Sequence, residues 1–280
     1  MRTAVLALVM LLAMGRNGWA AHAPAGSPAA QHQVQTAATA VTAGPAREFE
    51  VATIKPSDPA QCCSRTYGME GRKIATNNTY LQWLIKWAYG LQDKQIVGGP
   101  AWIGEARYDV TAQASGSETL TIHDAKRAMQ KLLADRFQLK FHHETREMSA
   151  YVLTVAHGGP KLTPSNPAID TVPQVGFSGA IGQTMHGSGR NVTLHEFMGE
   201  IQRIVLDRPV VDHTGLTGTY DMNLQFTRED QTALGMAELP ENAAPNLLTA
   251  LNQQLGLKLA VEKTAVDVIV IDHAEPPSAD

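Results

Sequence analysis

Histidine offers this chain the most chemistry, because a neutral imidazole both ligates metals and carries protons near neutral pH, and the sequence holds 10 of them. Their spacing does not assemble a site. His142 and His143 are adjacent in a stretch that reads as a strand, so they point to opposite faces, and Glu144 beside them completes no His-Glu-x-x-His pattern. They are expected to be solvated strand positions, and no metal ligand is assigned. His213 beside Asp212 and His273 beside Asp272 sit at strand ends, where a serine could join them in hydrolytic chemistry. The strained Gly-x-Ser-x-Gly turn that presents such a serine is missing, and Gly187-Ser188-Gly189 is too short to replace it. No catalytic residue is assigned and no cofactor is expected.

Binding chemistry has better candidates. Tyr80, Trp83 and Trp87 recur at i, i+3 and i+7, so they share one side of a helix, offset from the stripe of Leu81, Leu84, Ile85 and Ala88. An exposed strip of this kind stacks a sugar or anchors a partner; the alternative is a helix buried on two sides. Trp102, after the Gly99-Pro100 turn, extends the same patch. Tyr108-Asp109 and Tyr220-Asp221 recur as a pair, which reads as a packing device with Tyr inward and Asp outward. The only two cysteines, Cys62 and Cys63, are adjacent. They could form a vicinal disulfide, link to another chain, supply half of a metal site, or be two loop thiols.

These residues sit on elements that repeat. Asn191–Asp221 has a looser counterpart in Asn78–Asp109: a capped amphipathic helix, a short strand, a turn, then a strand opening on Tyr-Asp. Thr193 with Glu196, and Thr79 with Gln82, fit capping boxes. A second helix is expected from Thr121 to near Arg136, and another carrying Leu247, Leu248, Leu251 and Leu255. Phe137–His142 with Tyr151–Ala156, and Leu257–Val261 with Val266–Asp272, read as hairpins. The fold class is α+β. Two similar halves, 47–165 and 190–277, are each expected to run β-β-α-β-β-α-β-β with two amphipathic helices covering a small mixed sheet, joined by a Pro-, Gly- and Ser-rich linker over 166–189.

The N-terminus carries Arg2, an apolar run from Ala4 to Met14, then small residues, which is a signal-peptide profile over 1–20 with cleavage after Ala20 or Ala23. A disordered linker over 21–46 follows, too poor in large apolar residues to order itself. Export to the periplasm or beyond is therefore expected, with no transmembrane segment after cleavage. The formal charge of −4 is spread without a basic stripe, so nucleic acid is not an expected partner; an envelope protein or a cell-wall component is.

The ordered blocks FEVATIKPS, GRKIATNNTYLQWLIKWAYGLQDKQIVGGPAW, YDVTAQA, LLADRFQLKFHHETREMSAYVLTVAHGGPKL, DRPVVDHTGLTGTYD and LGLKL with VDVIVIDHAEPPS resemble a soil-associated family of uncharacterised exported proteins, best known from acidobacteria. The resemblance implies a domain of unknown function, found also on membrane sensors of the antirepressor-peptidase kind, and brings no catalytic residues. The Cys62-Cys63 loop, Tyr80 and Trp83 depart from that pattern. The run TLHEFMGEIQRIVLDRPVV and the closing LLTALNQQLGLKLAV with VIVID are also similar to the small docking domain of secretin and TonB-receptor N-termini. Together these point to a non-enzymatic binding module, with a carbohydrate or small-ligand sensor as the alternative and a hydrolase as the third.

Overall fold

The computed structural model describes residues 48–58, 60, 66–166, 172–179, 184–228 and 244–277. The expected signal peptide, the linker over 21–46, and Cys62 and Cys63 lie outside the described residues. Contacts group Gly44–Asp280 into one compact unit.

The first half runs β1 (Phe49–Pro56), β2 (Thr66–Glu70), β3 (Lys73–Tyr80), α1 (Leu81–Tyr89), β4 (Ile96–Gly98), β5 (Arg107–Ala114), α2 (Ile122–Arg136) and β6 (Lys140–Val155). The second runs β7 (Thr163–Pro164), β8 (Gln174–Ser178), β9 (Thr184–Val192), α3 (Leu194–Ile204), β10 (Val210–Asp212), β11 (Tyr220–Thr227), α4 (Leu247–Ala250, continuing as a π-turn over Leu251–Leu255) and β12 (Leu257–His273). This is a mixed α+β fold. Within the stretch 166–189, read as a joining segment with weak strand-like pieces at Thr171–Phe177 and Gln183–His186, lie β8 and most of β9. Serine and glycine there are strand residues that sit flat against close neighbours.

Two flanking sheets share one strand order, β1-β5-β3-β2 and β7-β11-β9-β8. They also share a local device. The register slips between Thr76 and Thr79 in β3, and between Tyr220 and Met222 in β11 where it pairs with β9. At these bulges Asn78 and Asn191 take left-handed φ values of 56° and 51°, a conformation that asparagine tolerates better than other side chains. The slip leaves each asparagine N–H without a ladder partner. Asp109 Oδ1 accepts the N–H of Asn78 at 2.8 Å and Asp221 Oδ1 that of Asn191 at 3.0 Å. The same oxygens accept the hydroxyls of Ser57 at 2.6 Å and Ser165 at 2.5 Å. So the recurrent aspartate does not simply point outward: it turns back and latches the bulge. Tyr108 packs inward as expected, edge-on to Phe137 at 5.3 Å.

The third sheet, β10-β6-β12-β4, differs from the expected hairpins. Each supposed hairpin is one continuous strand, and the two strands pair antiparallel with each other from Leu257 opposite Val155 to His273 opposite Lys140. Each half therefore ends in one strand rather than two. The polar run Glu144–Ser149 holds no Gly, Pro, Asn or Asp, the residues that most favour a tight turn; it is polar because that part of the ribbon faces solvent. The short strands are exchanged: β4 lies parallel to β12, and β10 parallel to β6.

The cores follow this exchange. One gathers α1, α2 and the first sheet around Ile269 and Ile271 of β12; the other gathers α3, α4 and the second sheet around Leu153 of β6 together with Leu257 and Leu259 at the start of β12. Thr193 and Glu196 form the expected box at α3, and Thr121 caps α2. The box expected at Thr79 and Gln82 does not form, because the helix begins after Tyr80 with no side-chain cap. A buried amide seam joins the halves. Gln92 Nε2 donates to the carbonyls of Gln202 and Leu206, and Gln202 Nε2 donates to that of Gly90.

Candidate functional site

Helix α1 is buried on more than its leucine stripe. Leu81, Leu84 and Ile85 are fully inaccessible, and Trp87 is only 2% exposed, so Trp87 is a core residue and not part of a free strip. Trp83 and Trp102 are half-buried at the core edge. Trp102 rides on the 3-10 turn Ala101–Gly104, held tight to α1: a Cβ at Gly104 would come within 3.0 Å of Gln82 Oε1. Tyr80 belongs to the bulge. The Arg107 guanidinium lies 4.5 Å over its ring and donates to its hydroxyl, while Arg107 Nη1 donates to Asn78 Oδ1 at 3.0 Å. The four expected binding residues thus split between core, core edge and latch.

What joins two of them is Tyr67 on β2. Its ring lies 5.8 Å from that of Trp83 and 5.4 Å from that of Trp87, tilted by 55° and 52°, the offset contacts that aromatic quadrupoles favour. Tyr67 remains 37% exposed and Met69, two residues on along the same strand face, 36%. Tyr67 was hidden in the sequence because Ser57–Gly71 reads as loop. The alternation of Tyr67 and Met69 around Gly68 was its one signal.

Charges from both halves border this corner. Glu200 of α3, its side chain 8% exposed, takes Lys126 Nζ of α2 at 2.9 Å and Arg203 at 2.8 Å. Burial pushes the Glu200 carboxyl up, but the two cations outweigh it and hold the group below its usual value. Burial also pushes the Tyr67 phenol up to about 12, against the pull of Arg203 and with Glu200 adding to the rise, while its hydroxyl donates to Met69 Sδ at 3.8 Å. A phenol held this high stays protonated at neutral pH. It can donate and accept hydrogen bonds there.

His142 and His143 stay on the ribbon. His142 Nδ1 meets Asp272 at 2.8 Å and Nε2 meets Glu144 at 3.3 Å, while His143 Nδ1 meets Asp267 at 2.8 Å. Among the described residues no three His, Cys, Asp or Glu side chains converge as metal ligands would. The supposed hydrolytic pair is pulled apart. The His213 N–H bonds to Leu153 and His273 stands opposite Lys140, near opposite ends of β6, roughly 40 Å apart at strand rise. No helix among the described residues is long and apolar enough to cross a membrane.

A family profile matches residues 82–274, most of the chain, under the description "protein of unknown function (DUF3738)". The chain belongs to this family. Comparison with curated proteins and with solved structures finds no match. The profile begins inside α1 and runs to the end of β12. It therefore spans Trp83, Trp87, Glu200 and Arg203 but leaves out Tyr67.

Proposed function

We propose that this DUF3738 chain is an exported, non-enzymatic binding module of two duplicated halves that engages an envelope protein through the corner of Tyr67 and Trp83. The observation that carries this is the partly exposed Tyr67 ring backed by two tryptophans, with the Arg203 guanidinium, 38% exposed, beside it. Tyrosine, tryptophan and arginine dominate the energetics of protein interfaces because they bury much area at little entropic cost while keeping a polar handle. Here the rings are already ordered by the core beneath, so a partner meets a preformed surface. The latched asparagines, the shared strand order and the exchanged short strands support the duplication. The signal-peptide profile supports export. The likeness to secretin and TonB-receptor docking domains is a sequence likeness only, with no solved structure behind it.

The test immobilises the chain against an envelope protein fraction and compares it with Tyr67→Ala and Trp83→Ala. Both substitutions are expected to lower partner retention at least tenfold while the melting transition stays cooperative. Variants that fold and retain the partner undiminished would move the site elsewhere.

A further inference from the structure

The second flanking sheet carries a concave feature on its outer face, away from the aromatic corner. It is a depression of about 290 Å³ across β8, β9 and β11, near the lower end of the roughly 300–1,000 Å³ typical of small-ligand sites. Two cross-strand rows line it. Gly176, Ser188 and Asn223 stand in one register, and Ser178, His186 and Gln225 in the next. All six are exposed. The rows are about 7 Å apart along the strands, and neighbours within a row about 5 Å apart, so the six side chains spread over a patch wide enough to reach hydroxyls on opposite edges of one sugar ring.

Gly176 opens the depression. Its backbone does not take a left-handed φ, and a Cβ there would meet only Ser188 Oγ, at 4.0 Å, so folding does not demand glycine. By contrast a Cβ at Gly187 would collide with the Phe177 ring on the opposite face. The platform is also braced: the Gln254 amide pairs with both the N–H and the C=O of Gln225, at 2.9 and 2.8 Å, in the manner of an added strand.

The lining decides the ligand class. Serine, asparagine and glutamine each donate and accept, as sugar hydroxyls do, and none of the lining residues is a carboxylate, ammonium or guanidinium. Asp221, on the same sheet, is taken up by the Ser165 hydroxyl and the Asn191 N–H, with the charge of Arg190 lowering its carboxyl further. The first sheet is an internal control. Its matching rows are Gly68, Ala75 and Thr111, then Glu70, Lys73 and Gln113, which place a methyl where the second sheet has the Ser188 hydroxyl and opposite charges where it has the Ser178 hydroxyl and the His186 imidazole.

We infer that the outer face of the second sheet binds one pyranose unit of a neutral saccharide. This site is independent of the aromatic corner. It is tested by titrating the full ¹⁵N-labelled chain with methyl β-glucoside, methyl β-galactoside, N-acetylglucosamine and, as an ionic arm, inorganic phosphate. At least one sugar is expected to shift the Gly176, Ser188 and Asn223 amides saturably in the millimolar range. Gly176→Leu should weaken that binding at least tenfold with the melting temperature unchanged, Gly176→Ala should weaken it less, and Gly68→Leu should leave it as it is. Absence of a saturable shift with all three sugars, an undiminished titration in both Gly176 variants, or phosphate moving the same amides more strongly than any sugar would each overturn the assignment.

Discussion

The two halves use one scaffold for different surfaces. Counted from the latched asparagines, Trp87 of α1 and Glu200 of α3 hold the same helix position, yet one fills a core and the other centres an ion cluster. In the first sheet β1 pairs along nearly all of β5, whereas β7 meets β11 at only Tyr220 and Asp221. What the halves share, the aspartate latch and the strand order, makes the fold. The parts that differ are where the proposed binding surfaces lie.

The largest effect should come from breaking the Trp87 and Glu200 pair of positions. Trp87→Ala removes a buried indole and is expected to cost about 3–5 kcal/mol in denaturant unfolding. Glu200→Ala should cost less, about 2–3 kcal/mol, because the stranded Lys126 and Arg203 are part-exposed and can rehydrate. The two also separate by pH. Since the folded Glu200 carboxyl lies below its usual value of 4.5, its contribution is complete above that pH and is lost as pH falls through the folded value. Glu200→Gln should therefore flatten the acid limb of the stability profile, while Trp87→Ala lowers it at every pH.

The shared left-handed conformation should respond alike in both halves. At Asn78 and at Asn191 the alanine variant is expected to be about 1 kcal/mol less stable than the glycine variant, because only alanine pays for the left-handed φ, while both variants of Asn78 also lose the oxygen that accepts from Arg107. Unequal alanine-to-glycine differences would weaken the equivalence drawn between the two bulges.

The smallest effect lies at the ribbon. His142 lies between Asp272 and Glu144, with Arg146 on the far side of Glu144 and His143 turned to Asp267; the matching end, at Ala260 and Val261, has no imidazole. Hydrogen bonds to Asp272 and then Glu144 hold the His142 imidazole above its usual value of 6.5. Its stabilising contribution is therefore full below 6.5 and lost as pH rises through the folded midpoint. An NMR titration should place the His142 midpoint above 6.5, and Asp272→Asn should lower it; an ordinary midpoint in the native chain would mean that the exposed contacts are screened by water.

Helices α1, α2 and α3 were legible because their signals are local: apolar residues at helical spacing, Thr caps three residues before their acids, and Gly90 at the exit. The recurrence of Tyr-Asp was legible too, although its latching role was not, since Ser57 and Asn78 are far from Asp109 in sequence. Periodicity likewise marked Trp83 as a candidate and missed Tyr67, whose neighbours in sequence say nothing of the helix it stacks on.

Sequence alone was sufficient for the α+β class and for placing Trp83 and Trp87 on one helix, though not Tyr80, which ends β3, because such features depend on contacts within a few residues. The tertiary structure decided which strands pair. A ladder hydrogen bond joins residues whose separation leaves no mark on local pattern, so the long ribbon, the exchanged β4 and β10, the burial of Trp87 and the neutral rows around Gly176 emerge only when distant segments meet.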